Sequence, residues 1–354
     1  MRFPCFFLAV FLLAAPAAGR DIFVDNMGGN DTFTGMQRRC SADRSGPVRT
    51  IAKALRLAQS GDRIILAKND EPYRESITLS GARHSGFMDV PFTIEGEGVV
   101  LEGAAPVPKG AWEHYKKAVF RFRPPRLHHQ QLFIDNVPAV RVCGDPLSAS
   151  PPKLEKLEWC LHGGYIYFCV EPTTLPDDYN LTHSSLETGI TLKNVEKVGI
   201  IGLTVQGFQL DGINLHNSAK KVYLGGVTVR GNGRNGITVG GACQVEIDGS
   251  TIGNNGRAQI LTLPISETAI ANSQLFSNTA PGRVNRGGRF FLNGKQVEGN
   301  VDDEKYTGEA TGQTDKKPDE EGGEPPAAGP GEGMPPADGT AGPSPKSPEG
   351  KPLY

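Results

Sequence analysis

Gly189-Ile190-Thr191-Leu192 recurs as Gly212-Ile213-Asn214-Leu215 and as Gly236-Ile237-Thr238-Val239, and Ile260-Leu261-Thr262-Leu263 continues the series more loosely. The steps are 23, 24 and about 24 residues. A second column runs Leu203-Thr204-Val205, Val227-Thr228-Val229, Ser250-Thr251-Ile252 and Gln274-Leu275-Phe276, and a third runs Val198-Gly199-Ile200, Val222-Tyr223-Leu224, Val245-Glu246-Ile247 and Ala269-Ile270-Ala271. Each repeat therefore holds three short strands of alternating character, separated by Gly, Asn and Asp turns. Self-similarity at this period means a stacked solenoid. Three strands per turn and no helical segment predict an all-β fold, a right-handed parallel β-helix; leucine-rich repeats share the period, but their leucine and asparagine pattern is absent. Ile190, Leu192, Ile213, Leu215, Ile237 and Val239 then point inward and stack at about 4.8 Å from coil to coil, so that each coil depends on its neighbours for burial. Repeats of 23–24 residues are expected to fill residues 189–301.

Towards the N-terminus the pattern reads as a cap and first coils, over residues 20–103. Asp21 to Asp25, Arg63 to Leu66, Ser76 to Leu79 and Phe92 to Ile94 read as strands. Thr50 is placed to cap a helix whose apolar face is Ile51, Ala54, Leu55 and Ala58 and which ends at Ser60-Gly61. An open solenoid end exposes core and unpaired edges, so a covering helix is expected there. Residues 104–188 form an inserted β-rich region. It carries strand-like pieces around Val119, Leu132, Ala139 and Tyr165, both tryptophans (Trp112 and Trp159), and His114, His128, His129 and His162. Its aromatics are either one wall of a sugar cleft or simply its own core. His128-His129 is no metal signature, because strand neighbours point to opposite faces. The Gly163-Gly164 turn sets a hairpin that pairs Glu158, not Cys160, with Cys169.

The two ends read differently. Met1-Arg2, the apolar run Phe6 to Ala15 and the small residues Pro16 to Gly19 have the order of a secretory signal peptide over residues 1–19, implying a secreted or periplasmic protein. With Cys5 leaving in that leader, Cys40, Cys143, Cys160, Cys169 and Cys243 remain, an odd count that leaves their pairing open. Residues 307–354 contain 10 Pro and 10 Gly and almost no large apolar residues, so they cannot bury enough surface to offset ordering entropy. Residues 302–354 are read as a disordered acidic tail, whose role is a spacer, a solubiliser or a mimic of an acidic ligand. From Glu298 onward there are 13 acidic and 5 basic residues, whereas residues 189–290 hold 10 basic against 5 acidic. The whole-chain charge of −2 hides this split. It carries no basic excess of the kind a nucleic-acid binder shows. No apolar run of membrane-spanning length follows the leader, and the expected state is a monomer.

The stretch with Asp25, Gly35, Pro47, Thr50-Ile51, Ala54, Gly61-Asp62, Tyr73 and Glu75 resembles the opening of secreted pectin-lyase-like β-helix proteins, and the four repeats resemble the coils of the same superfamily. That superfamily includes pectate, alginate and chondroitin lyases, polygalacturonases, uronan epimerases and non-enzymatic surface proteins. The resemblance implies a protein that binds or processes polysaccharide, acidic and uronate-containing, or alternatively a non-catalytic structural or surface-layer β-helix.

The resemblance also places the active groove along the Gly-Ile-x-Leu strands and their flanking loops. Outward positions there are Thr191, Asn214 and Thr238, and the residues just before the strands form a column of Thr188, Asp211, Asn235 and Gln259. Asp211-Gly212-Ile213 resembles the Asp-Gly-Ile of polygalacturonases. Those enzymes divide the work between carboxylates on adjacent coils, whereas here Asn235 follows, and the Gly-His-Gly signature is missing. Asp211 is equally a turn residue of the repeat. A lyase needs a base alpha to a uronate carboxylate and a cation to neutralise it. Arg234 and Arg257, both in Asn-Gly-Arg 23 residues apart, should stack on one edge for that purpose or lie solvated there. The catalytic candidates are Asp211, His216 and Arg234; the substrate-binding candidates are Asn214, Arg230, Arg234, Thr238 and Arg257. No metal site is identified and no cofactor is expected; Ca²⁺ stays open as an alternative without a sequence signature, since acidic residues do not cluster as a Ca²⁺ site requires. Asn232, Asn254, Asn255 and Asn278 read as a structural ladder in the turns.

Overall fold

The computed structural model describes residues 19–299 except 42, 127, 128, 146 and 278. All of these lie in the unit Met1–Pro318. The expected leader up to residue 18, the acidic tail, His128 and Asn278 lie outside the described residues. The body is a parallel β-helix whose strands join one 16-stranded sheet wrapped into three faces. On the first face Ile77–Ser80, the start of Ile190–Gln206, the start of Ile213–Gly225, Asn235–Val239, Ala258–Thr262 and Arg283–Asn285 stack in parallel. The second face runs from Asp21–Val24 through Arg63–Leu66 and Phe92–Glu102 to Arg289–Leu292. The third stacks Val99 to Glu102 on Leu203 to Gln206, then Thr228–Arg230, Thr251–Gly253 and Gln274–Leu275. The long strands turn corners where Asn194, Lys197, Asn217 and Lys221 adopt positive φ.

The six inward residues read from the repeat are all fully buried, each stabilising by about 1.5–3 kcal/mol relative to exposure. The glycine that begins the repeat has a steric cause. A Cβ on Gly189 would lie 2.5 Å from the Gly212 oxygen and 2.7 Å from Val205, and one on Gly212 or Gly236 would lie 2.6 Å from the side-chain nitrogen of Asn232 or Asn255. Of the asparagines expected to form a ladder, Asn232 and Asn255 do so. Asn232 Nδ2 donates to Asn255 Oδ1 at 3.0 Å, and Asn255 Nδ2 donates to Gln259 Oε1 at 2.8 Å.

The fourth repeat differs from the expected alignment. Ile237 pairs with Ile260 and Thr238 with Leu261, so the step is 23 residues and Gln259, not Ile260, takes the glycine position. Asn235 consequently pairs with Ala258, and Gln259 leaves the column assigned to it for the interior, where it is fully buried and closes the asparagine ladder. Hydrogen bonding of a buried amide outweighed the apolar match on which the sequence alignment rested.

Helix Ile51–Leu57 covers the N-terminal coil with Ile51, Ala54 and Leu55. Thr50 caps it by accepting from the Lys53 amide at 3.0 Å. The Glu75 carboxylate accepts from the Ile51 and Ala52 amides at 2.8 and 2.9 Å, although burial raises its pKa. The helix stops at Leu57, before the expected Ser60-Gly61, because Ala58 is already extended.

The insert is two packed sheets. One has five strands (Glu113–Lys116, Val119–Phe122, Val140–Arg141, Glu158–His162, Tyr165–Cys169), and the other has four (Ala104–Pro106, Leu132–Ile134, Val137–Pro138, Leu181–Ser184). Trp159 is fully buried between them, its Nε1 donating to the Ala139 oxygen at 3.0 Å, and Trp112 packs on Phe122 and Phe168. Both tryptophans are therefore core rather than cleft wall. The hairpin register places Trp159 opposite Phe168 and Cys160 opposite Tyr167, which leaves Glu158 facing Cys169. Cys40, Cys160, Cys169 and Cys243 are free thiols. Burial pushes the Cys160 thiol up to about 12, and Cys243 Sγ accepts from the Ala219 amide inside the solenoid.

Candidate functional site

The first face bears a groove of about 780 Å³. Because its strands are parallel, the residues before each strand form one rim and those after it form the other. The floor is the in-register set Asn214, Thr238, Leu261 and Val284. Arg234 and Arg257 make the leading rim, and His216, Asn217 and Arg286 the trailing one. Backbone stacking places the leading pair: the Arg257 amide donates to the Arg234 oxygen at 2.6 Å, and the Arg234 amide to the Leu210 oxygen at 3.0 Å. Gly240 and Gly241 keep the trailing rim low between His216 and Leu263.

Asp211 lies beside this groove but is fully buried. Arg234 forks it, Nε to Oδ1 at 2.9 Å and Nη2 to Oδ2 at 2.7 Å. Asn235 Nδ2 adds a 3.2 Å bond to Oδ1 and a 3.0 Å bond to Thr238 Oγ1. The bond to Asp211 raises the Arg234 pKa. The carboxylate is thus committed to orienting Arg234 and presents no free oxygen to the groove. Arg257 and Arg286 are exposed and have no carboxylate partner among the described residues.

Five of the sequence candidates (Asn214, His216, Arg234, Thr238 and Arg257) line this one groove. Arg230 does not. It sits on the third face, where its Nε donates to Gln206 Oε1 at 2.9 Å and Gln206 Nε2 donates to Glu102 Oε2 at 2.7 Å. Burial lowers the Arg230 pKa and raises that of Glu102. Twenty-three-residue arithmetic from Arg230 leads to Gly253, whereas Arg234 leads to Arg257; the three residues Gly231, Asn232 and Gly233 carry the backbone round a corner between them. Sequence reasoning passed over Arg286 as a site residue. Its amide bonds the Thr262 oxygen, which aligns it with Leu263 and Gly240 once the fourth coil's register is known. Among the described residues no cluster of three or more His, Cys, Asp or Glu is arranged to hold a metal ion, and no helix is long and apolar enough to cross a membrane.

Residues 188–303 match the family model described as the right handed beta helix region. The fold is a right-handed parallel β-helix. Solved structures similar to it include the complex of XylC with xylose (12% identity, 77% of this chain and 69% of that one, TM-score 0.39). Pectate lyase Pel9A has 9% identity over 84% of this chain and 58% of that one, with a TM-score of 0.43. The lacto-N-biosidase of family GH136 from Eubacterium ramulus has 10% identity over 72% of this chain and 46% of that one, with a TM-score of 0.35. The chain thus spans about half to two thirds of the length of these structures. No curated protein sequence matches it.

Proposed function

We propose that the groove binds an acidic, uronate-containing polysaccharide outside the cytoplasm. One observation carries this reading: Arg257 and Arg286, two exposed guanidinium groups without carboxylate partners among the described residues, stand on opposite rims of a groove whose floor is Asn214, Thr238, Leu261 and Val284. Planar guanidinium forks match carboxylates in a way that ammonium groups do not. Parallel coils about 4.8 Å apart set Arg234 and Arg257 one coil apart on the leading rim, an interval that suits a polymer whose charges also repeat. The leader-like N-terminus supports export of the chain.

The groove favours recognition over hydrolysis. Hydrolysis divides acid and base roles between two carboxyl groups, and the one carboxylate beside this groove among the described residues, Asp211, is buried under Arg234. The test is titration of the full chain with polygalacturonate, alginate and a neutral glucan at low and physiological salt. Binding to the polyanions alone, fading as screening shortens to about 8 Å, is the expected result, and Arg286→Ala should weaken it. Equal binding of the neutral glucan overturns the reading. Release of unsaturated uronate, followed by ultraviolet absorbance, identifies a lyase; binding without it identifies a non-catalytic surface protein.

A further inference from the structure

A second set of cations lies where the insert meets the coils. Arg141 ends the insert strand Val140–Arg141. Its guanidinium carbon stands 5.3 Å over the Trp159 ring, and its Nε is buried without a hydrogen-bond partner. Its Nη1 is 3.6 Å from where a Cβ on Gly256 would stand, and Gly256 immediately precedes Arg257. His129 makes the matching approach one coil earlier, its Cβ lying 3.0 Å from the Cβ position of Gly233, which precedes Arg234. The insert therefore lays one residue on each Asn-Gly-Arg turn. The charged groups facing His129 are Arg257, Arg234, Arg141 and Asp211. Asp211 is already forked by Arg234, so among the described residues two guanidinium charges at this seam, those of Arg141 and Arg257, are left without an anion.

We propose that the seam is an oxyanion subsite, where Arg141 of the insert and Arg257 of the coil hold a carboxylate or sulfate ester of the polysaccharide lying in the groove. This rests on the groove reading and deepens it: the insert supplies a third line of recognition that the coils alone lack. Burial, followed by the three arginines, lowers the His129 pKa to about 4. Its ring is therefore neutral at neutral pH and adds a hydrogen-bonding group rather than a competing charge. A bound oxyanion reverses the local field and favours the protonated ring.

The experiment uses the full chain, with polygalacturonate as the carboxylate probe and dextran sulfate as the sulfate probe. Affinity is measured for the parent, Arg286→Ala and Arg141→Gln, and the His129 ring is titrated by NMR with and without each probe. Arg141→Gln should weaken binding about tenfold, the loss of a charge-assisted hydrogen bond, and saturating probe should raise the His129 pKa. A loss confined to one probe names the group the subsite holds. If Arg286→Ala weakens binding while Arg141→Gln does not, and His129 titrates unchanged, the subsite is overturned and the groove stands. If neither variant changes binding, both are overturned. Should Arg141→Gln unfold by losing its stacking on Trp159, Arg141→Lys keeps charge and stem but lacks the fork, and the His129 titration of the parent decides alone.

Discussion

Replacing Arg234 with alanine should cost stability before it costs binding. The structure makes Asp211 fully buried and gives both its oxygens to Arg234, with only the 3.2 Å bond from Asn235 left over. Breaking a buried pair by removing one partner costs about 3–5 kcal/mol, because the remaining charge is uncompensated. The Arg234 side chain is 34% exposed, so water reaches part of the vacated volume, and the cost falls to about 2–3 kcal/mol. At about 2–4 °C per kcal/mol for a body of this size, the melting temperature should drop by about 5–10 °C. Adding Asp211→Asn removes the stranded charge and should recover at least half of the loss. Urea unfolding followed by the circular dichroism of the strands measures all four corners of the cycle. The reasoning is refuted if Arg234→Ala lies within about 0.5 kcal/mol of the parent, the range of ordinary surface changes, or if the double variant is no more stable than the single one.

Leu215→Ala, fully buried in mid-solenoid, should lose about 2–5 kcal/mol in the same unfolding assay through the cavity it opens. Asn255→Ala removes the acceptor of both the Asn232 amide and its side chain, and should cost about 2–3 kcal/mol by orphaning buried donors; an unchanged midpoint would refute the ladder's role. For His129 the sign follows from a pKa lowered from 6.5 to about 4. Above 6.5 both folded and unfolded rings are neutral and the group contributes nothing; as pH falls towards 4 only the unfolded chain takes up the proton, so stability declines. With a half-buried ring the screened loss is about 1–2 kcal/mol, and His129→Gln should flatten that part of the stability–pH profile relative to the parent.

The solenoid was legible in the chain because a local pattern repeated at the coil period carries its own alignment. Gly-Ile-x-Leu at 189 and 212 and Gly-Ile-Thr-Val at 236 placed three coils in register, and the Asn-Gly-Arg repeat brought Arg234 and Arg257 together for the same reason. Side-chain alternation further assigned Ile213, Leu215, Ile237 and Val239 to the interior. The fourth coil escaped that logic, since Ile260-Leu261-Thr262-Leu263 matches apolar residues at two registers, and only the bonds of Gln259 to Asn255 select one. Arg286 became a rim residue only with that register in place.

What the sequence by itself determined, then, is whatever depends on spacing along the chain: the coil, its inward residues, the capping Thr50 and the stacked arginines. Tertiary structure alone decided the partners. It buried Asp211 under Arg234 and so removed the carboxylate that Asp-Gly-Ile offered on paper. It carried Arg230 round a corner to Gln206 and Glu102. It set Arg141 and His129, roughly a hundred residues upstream in the insert, on the two Asn-Gly-Arg turns. Periodicity encodes contacts between residues one coil apart; the insert has no period in common with the coils, so its docking is fixed by shape and charge, which no spacing in the chain records.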